Sequence, residues 1–219
     1  MTRPADDVCL QTPPAQARAV FGSNFERAQR YAAMLGADGV TRGLIGPREA
    51  ARIWTRHLLN AAALAAWVPP AVRVVDVGSG AGLPGIPLLL ARPDLSVTLL
   101  EPMARRVAFC EQVRVAIGVD FAILRARAED AAPSSADVVV ARAVAPLERL
   151  VALTVPLLRP GGRLLALKGA RAGEEVRAAG EALARAGASA VEVHAIGVGE
   201  DATYVVEIAA PVAGATVAR

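Results

Sequence analysis

The chain has 219 residues, a net charge of +3 and an isoelectric point near 9.4, which suits one α/β domain with an extension and is too short for two unrelated folds. Two cysteines, Cys9 and Cys110, with no zinc-like Cys/His spacing, exclude a disulfide framework; a reducing compartment and no metal are expected. Aromatics at 4% argue against a module that holds single strands on stacked rings, while the mild positive charge permits an RNA partner without requiring one.

Residues 1–13 lack periodicity and read as a loose tail. Ser23, with Glu26 three residues on, reads as the cap of a helix that places Ala28, Tyr31, Ala32 and Leu35 on one face, and Gly36, Gly39 and Gly43 read as its interruption. Pro47 opens a second helix through Ile53, Trp54, His57, Leu58, Ala61 and Leu64 as far as Pro69 and Pro70. Together these make an N-terminal extension over 1–70. Its arginines (Arg18, Arg27, Arg30, Arg42, Arg48, Arg52, Arg56) form either a phosphate-reading surface or a solvated helix face. A core over 71–210 follows, with strands predicted at 72–77, 95–100, 121–124, 137–141 and 162–168. Helices lie between them, after Pro84 and over 103–117 and 147–157, and another spans about 174–186. Strands separated by helices imply a parallel sheet covered on both faces, with ligands at the carboxyl ends of the strands. Two last strands, 190–196 and 203–208, are joined by a loop around Gly197, Gly199, Glu200 and Asp201 too short for a helix, so they pair as an antiparallel hairpin. Residues 211–219 are left as a tail. No apolar run spans a bilayer without meeting prolines or charges, and no signal segment is visible, so a cytoplasmic location is expected.

The run from Asp76 to Gly85, between a buried-strand pattern and a helix, reads as a nucleotide-binding turn in which Gly78, Gly80 and Gly82 let the backbone approach a ligand. Asp76 would repel a pyrophosphate and suits a cationic ligand; its bland alternative is a helix cap. Glu101 closes the next strand where a carboxylate can accept from ribose hydroxyls, and Glu129 follows the third strand where an adenine edge would lie. An ammonium, a sulfonium, a ribose and an adenine together describe S-adenosylmethionine. Arg142 and Lys168, at the ends of the fourth and fifth core strands, are the candidate catalytic residues, contacting substrate and cofactor. Lys168 is the only lysine in the chain, which hints at a need for a compact ammonium. The alternatives are an ion pair for Arg142 and an exposed strand end for Lys168. His57 reads as a hydrogen-bonded core histidine, Arg56 as exposed, and Cys110 as a buried thiol. The fourth strand ends in Ala141-Arg142-Ala143-Val144-Ala145-Pro146, with neither a cysteine for attack on a pyrimidine nor an Asn/Asp-Pro-Pro motif for an exocyclic amine. An acceptor that already has a free lone pair, such as guanine N7, needs no general base and fits what remains.

Several segments together resemble the bacterial small-subunit ribosomal RNA guanine-N7 methyltransferases, the RsmG or GidB family. They are Arg56 to Leu59, Val75 to Leu88 with its Gly-Leu-Pro-Gly-Ile-Pro extension, Leu99 to Glu101, Arg105 to Phe109, Ala128-Glu129, Ala141 to Ala143, and Leu167 to Gly169. The resemblance implies a class I S-adenosylmethionine-dependent methyltransferase fold, Rossmann-like and mostly parallel, with a terminal antiparallel hairpin and an N-terminal helical extension. It implies S-adenosylmethionine as cofactor, with Gly78, Leu83, Ala128, Glu129 and Arg142 as contacts. The implied substrate is a guanine of 16S ribosomal RNA, bare or in the assembled particle, and the enzyme is expected to be a monomer. Two places depart from the family pattern: Gly39 to Gly46 where an aromatic-Asn-Leu-Thr segment is usual, and Asn60 where an acidic residue is common. A methyltransferase acting on a small molecule stays open as the alternative, with a non-catalytic binding module or an NAD-linked protein behind it.

Overall fold

The computed structural model describes residues 10–196 and 203–212. Cys9 and most of the expected N-terminal tail, the loop of Gly197, Gly199, Glu200 and Asp201, and residues 213–219 of the expected C-terminal tail lie outside the described residues.

Seven strands form one sheet in the order β3-β2-β1-β4-β5-β7-β6. They are β1 (Arg73–Val77), β2 (Ser96–Leu100), β3 (Ala122–Leu124), β4 (Ala136–Arg142), β5 (Leu158–Lys168), β6 (Ala190–Ile196) and β7 (Thr203–Ala209). Strands β1 to β5 run parallel; β6 and β7 pair antiparallel, as the hairpin pattern required, and β7 lies antiparallel beside β5 as well. The predicted strands match within one residue at every end but one. β5 begins at Leu158, because the Pro160-Gly161-Gly162 run bulges instead of breaking the strand: Leu158 pairs with Ala136 and Arg163 with Val138.

Helices cover both faces: α1 (Ala15–Phe21), α2 (Phe25–Thr41), α3 (47–67), α4 (Gly85–Ala91), α5 (Ala104–Ile117), α6 (Leu147–Thr154), α7 (Ala172–Ala178) and α8 (Gly180–Arg185). The period of two in a strand assigns each strand residue to a face. Val74, Leu99, Val140 and Leu167 pack beneath α1 to α5, whereas Val75, Leu100, Val139, Ala141 and Ala166 pack beneath α6 to α8. The N-terminal helices therefore share one core with the sheet: Phe21, Tyr31, Trp54 and Leu58 belong to the same cluster as Val138 and Leu165.

Four helical expectations are corrected. Ser23 lies in a 3-10 turn, Gly22–Asn24, and caps nothing; Asn24 precedes α2, and its Nδ2 donates to the Leu90 carbonyl at 3.0 Å instead. Helix α2 runs straight through Gly36 and Gly39, both buried where the side chains of Leu10 and Ile45 pack against them; of the three glycines only Gly43 falls in the break. The second helix has the expected extent but not a regular form. It consists of a 3-10 turn Pro47–Arg52, a π turn Ile53–Leu59, one α turn Asn60–Ala62 and a 3-10 turn Ala63–Trp67. The π turn carries Arg56 and His57, and single π turns concentrate at functional sites. The helix expected over 174–186 is split into α7 and α8 at Ala179.

Candidate active site

Strand order reverses between β1 and β4, and the crevice above such a reversal is where open α/β sheets bind ligands. The register sets Val77 beside Leu100 on one side and Ala141 on the other, so Gly78 leaves the sheet flanked by Glu101 and Arg142. Gly78 has φ +66° and donates its N–H to the Leu100 carbonyl at 2.8 Å. A Cβ there would lie 2.9 Å from Cγ2 of Val144, so both the dihedral and the space exclude a side chain. The loop is fastened from three sides. Glu101, 1% exposed, accepts from the N–H groups of Gly80 and Met103 at 2.9 Å each. The Tyr31 hydroxyl of α2 donates to the Ala81 carbonyl at 2.9 Å, and the Cys110 thiol of α5 lies 3.5 Å from the Gly80 carbonyl. Burial pushes Cys110 up to about 12, which makes it the inert buried thiol expected. Tyr31 was visible only as part of an apolar face; nothing in its spacing marks a loop anchor.

Asp76 shares the parity of Val74 and so points beneath α4, not into open solvent. It is fully buried; Oδ2 accepts from the Gly85 N–H, the first of α4, at 2.8 Å, and Oδ1 has no partner among the described residues. Gly85 must be glycine for this contact, since a Cβ would meet Oδ2 at 2.7 Å. Burial raises the Asp76 carboxyl to about 7, opposed by the Gly85 hydrogen bond and the Arg142 charge and aided by Glu101. The cap reading of Asp76 is thus realised through one oxygen, and the other is left as an orphan acceptor behind the loop.

Arg142 has the same parity as Val140 and points toward the α2–α3 side, near Tyr31, Asp76, Glu49 and Arg56. Burial pulls its guanidinium below the ordinary value, with Tyr31 and the Asp76 and Glu49 carboxylates opposing. The next residue, Ala143, adopts φ +55°, a conformation that a residue with a Cβ rarely takes. His57 is buried but not hydrogen-bonded, which corrects the expectation: Nε2 stands 2.8 Å from Glu49 Oε2 without alignment, and Nδ1 has no partner among the described residues. Burial and the charges of Arg142, Arg56 and Arg52 pull His57 down to about 3, so it is neutral and its contact with Glu49 is no ion pair. Exposed Arg56 does pair with Glu49, at 3.0 Å.

Lys168 has the parity of Ala166 and points to the opposite face of the sheet from Arg142. It is buried, not an exposed strand end: Nζ donates to the Ala145 carbonyl and to Glu175 Oε2, both at 2.8 Å. Glu175, which nothing in the Glu174-Glu175 pair singles out from sequence, also accepts from the Leu147 N–H at 3.1 Å. A cleft of about 770 Å³ opens at the ends of β4 and β5, with Glu49, Arg56, His57, Arg142, Lys168 and Glu175 among its walls. Glu129, exposed, and Ala128, half-buried, sit in a short 3-10 turn beyond β3. Leu83 is buried in the glycine loop. Elsewhere, Glu192, His194 and Glu207 bring ligand atoms within 4.8 Å of one another, but Arg163 Nη1 already holds Glu207 at 2.7 Å.

This strand order, with an antiparallel β7 and a glycine loop at the β1/β4 reversal, defines a class I methyltransferase fold. Similarity extends to a solved N-methyltransferase, NodS of Bradyrhizobium japonicum in complex with S-adenosyl-L-homocysteine (TM-score 0.56, 15% identity, 80% of this chain and 97% of that one). The family rRNA small subunit methyltransferase G, GidB, matches residues 24–203, and the chain belongs to that family. Ribosomal RNA small subunit methyltransferase G of Salinispora tropica is 52% identical over 213 residues (90% of this chain, 88% of that protein). Its namesake from Streptomyces avermitilis is 54% identical over 194 residues (87% and 81%). No helix among the described residues is long and apolar enough to cross a membrane.

Proposed function

We propose that the chain transfers the methyl group of S-adenosylmethionine to N7 of a guanine in 16S ribosomal RNA. The observation that carries this reading is the glycine turn at the strand-order reversal, opening beside a polar cleft in a chain of the GidB family. The residues present fit the cofactor: Gly78 and Gly80 hold left-handed turns that leave their backbone only half-buried, and Asp76 keeps a buried acceptor oxygen without a partner among the described residues. When bound, S-adenosylmethionine supplies an electrophilic methyl on a sulfonium. Asp76, Gly78, Gly80, Leu83 and Arg142 would hold its methionyl end, Glu101 its ribose, and Ala128 with Glu129 its adenine. Glu101 is restrained for that role by two backbone N–H groups; Arg106 also faces Oε2 at 3.5 Å, and Oε1 retains a lone pair for a hydroxyl.

The chain's own work is positioning. A ring nitrogen with a free lone pair needs no proton removed before in-line attack, so orientation at the cleft is the main requirement. That suits a site whose thiol is locked beneath the loop and whose histidine is covered and, held down to about 3, a weak base. A ribosomal RNA substrate goes with the cytoplasmic location expected from the sequence. It is tested by incubating the full chain with labelled S-adenosylmethionine and either unmodified small ribosomal subunits, their extracted RNA, or a pool of small-molecule acceptors. Label in the RNA of either of the first two supports the reading and tells which form is the substrate. Label confined to small molecules would replace it with the alternative.

A further inference from the structure

We propose that Glu175 is a positioning residue for methyl transfer, acting with Lys168 as a clamp that fixes the turn over 143–147 between the cofactor loop and the cleft. Three independent observations converge on that turn. Its first residue, Ala143, sits at φ +55°, a conformation that costs a non-glycine residue of order 1 kcal/mol and persists only where the surroundings over-determine it. Its second, Val144, lies against Gly78 so closely that a Cβ on the glycine would approach to 2.9 Å. Ala145 and Leu147 are held from outside the turn. The Ala145 carbonyl accepts from Lys168 Nζ at 2.8 Å, and the Leu147 N–H, the first of α6, donates to Glu175 Oε2 at 3.1 Å. Lys168 and Glu175 close the circuit with their own 2.8 Å ion pair.

The arrangement explains the one lysine. Its site is a buried pocket with two acceptors at 2.8 Å on different elements, which a compact ammonium with freely directed donors satisfies and a planar guanidinium fits poorly. It also separates Lys168 from Arg142. Because neighbouring strands β4 and β5 send these two side chains to opposite faces, Lys168 holds the far side of the turn while Arg142 presents the near side. Glu175 completes the clamp from α7 and neutralises the buried cation, and its charge suits the positive end of α6. A clamp of this kind sets where Val144 and Arg142 stand relative to the glycine loop, and misplacement by an ångström at such a position costs rate far more than stability.

The inference rests on the methyltransferase reading above, and its test keeps the two apart. Glu175 is half-buried on a short surface helix, so Glu175→Ala should fold; Glu175→Gln retains an acceptor oxygen for Leu147, and Lys168→Met removes the ammonium at similar length. Single-turnover methylation of unmodified small subunits at saturating cofactor, below the melting temperature of each variant, is measured beside hydrogen exchange of the Leu147 amide. The expected result is a rate loss of about 10- to 100-fold for Glu175→Ala and Lys168→Met, with substantial recovery in Glu175→Gln. Faster exchange at Leu147 should accompany the loss in Glu175→Ala. A wild-type rate in folded Glu175→Ala overturns the proposal. So does a lost rate with unchanged exchange at Leu147, which would place these groups on substrate directly. A wild-type chain that labels no RNA at all would instead sink the RNA methylation reading, while the exchange data still report whether the clamp orders the turn.

Discussion

Replacing Asp76 by asparagine should make the protein more stable and less able to bind its cofactor. The Asp76 carboxyl is raised from 3.8 to about 7, chiefly by burial. That displacement corresponds to roughly 4 kcal/mol of preference for the protonated form in the folded state. Because the folded protein holds this proton more tightly than the unfolded chain does, the carboxylate costs nothing below about pH 4; the cost grows as pH rises from there and is complete above about 7. Asparagine has no charge to desolvate and keeps an oxygen for the Gly85 N–H, but it strips Arg142 of an opposing charge. Taking half of the cost as recoverable gives about 2 kcal/mol at pH 8, or roughly 4–8 °C in Tm for a chain of this size. Thermal unfolding of both proteins at pH 4, 6 and 8 measures this directly: the two should converge at pH 4 and separate as pH rises. Calorimetry with S-adenosylmethionine at pH 8 should show affinity reduced by about 10-fold or more, the loss of one charge-assisted contact. A stability difference independent of pH would refute the electrostatic argument, and an undiminished affinity would return Asp76 to the role of a helix cap alone.

Three further outcomes follow from the same geometry. Gly78→Ala should lose cofactor affinity and about 1–2 kcal/mol of stability, from the positive φ and the clash with Val144; adding Val144→Ala should recover the part due to space but not the part due to φ, as paired calorimetric and melting measurements would show. Tyr31→Phe leaves the buried Ala81 carbonyl without its donor and should cost about 1–2 kcal/mol, with faster exchange confined to the glycine loop and α2 if the anchor is local. His57, held at about 3, should show no ring titration by NMR between pH 5 and 9. Its burial stabilises fully above about pH 6.5 and loses effect as pH falls toward 3, so an activity change near pH 6.5 should survive His57→Gln.

The strands were readable because a doubly covered sheet needs continuous Val/Leu runs, and those runs have few other uses. The one misplaced strand end, at Leu158, came from reading Pro160 to Gly162 as punctuation when the chain uses them as a bulge. Local signals failed in the N-terminal helices, where tertiary packing decides. Gly36 and Gly39 look like breaks but make room for Leu10 and Ile45, and Ser23 looks like a cap but yields to Asn24, whose amide reaches Leu90. The site divides similarly. Residues that follow a strand end, Gly78, Glu101, Glu129 and Arg142, could be placed from topology. What their side chains face depends on strand parity and on elements distant in sequence. Parity turns Lys168 away from Arg142, and residues 31, 49 and 175, which anchor the loop and line the cleft, have no sequence neighbours that would mark them. His57 was recognised as buried, but its lack of a hydrogen bond depends on the orientation of Glu49, a residue its own neighbours in sequence do not mark.

The central claim is tested most directly by identifying the methylated nucleoside. Small-subunit RNA from a reaction of the full chain with labelled S-adenosylmethionine and unmodified subunits is digested to nucleosides and resolved by mass spectrometry. The account predicts label in 7-methylguanosine and nowhere else. Label at a base carbon, an exocyclic amine or a ribose hydroxyl would contradict it.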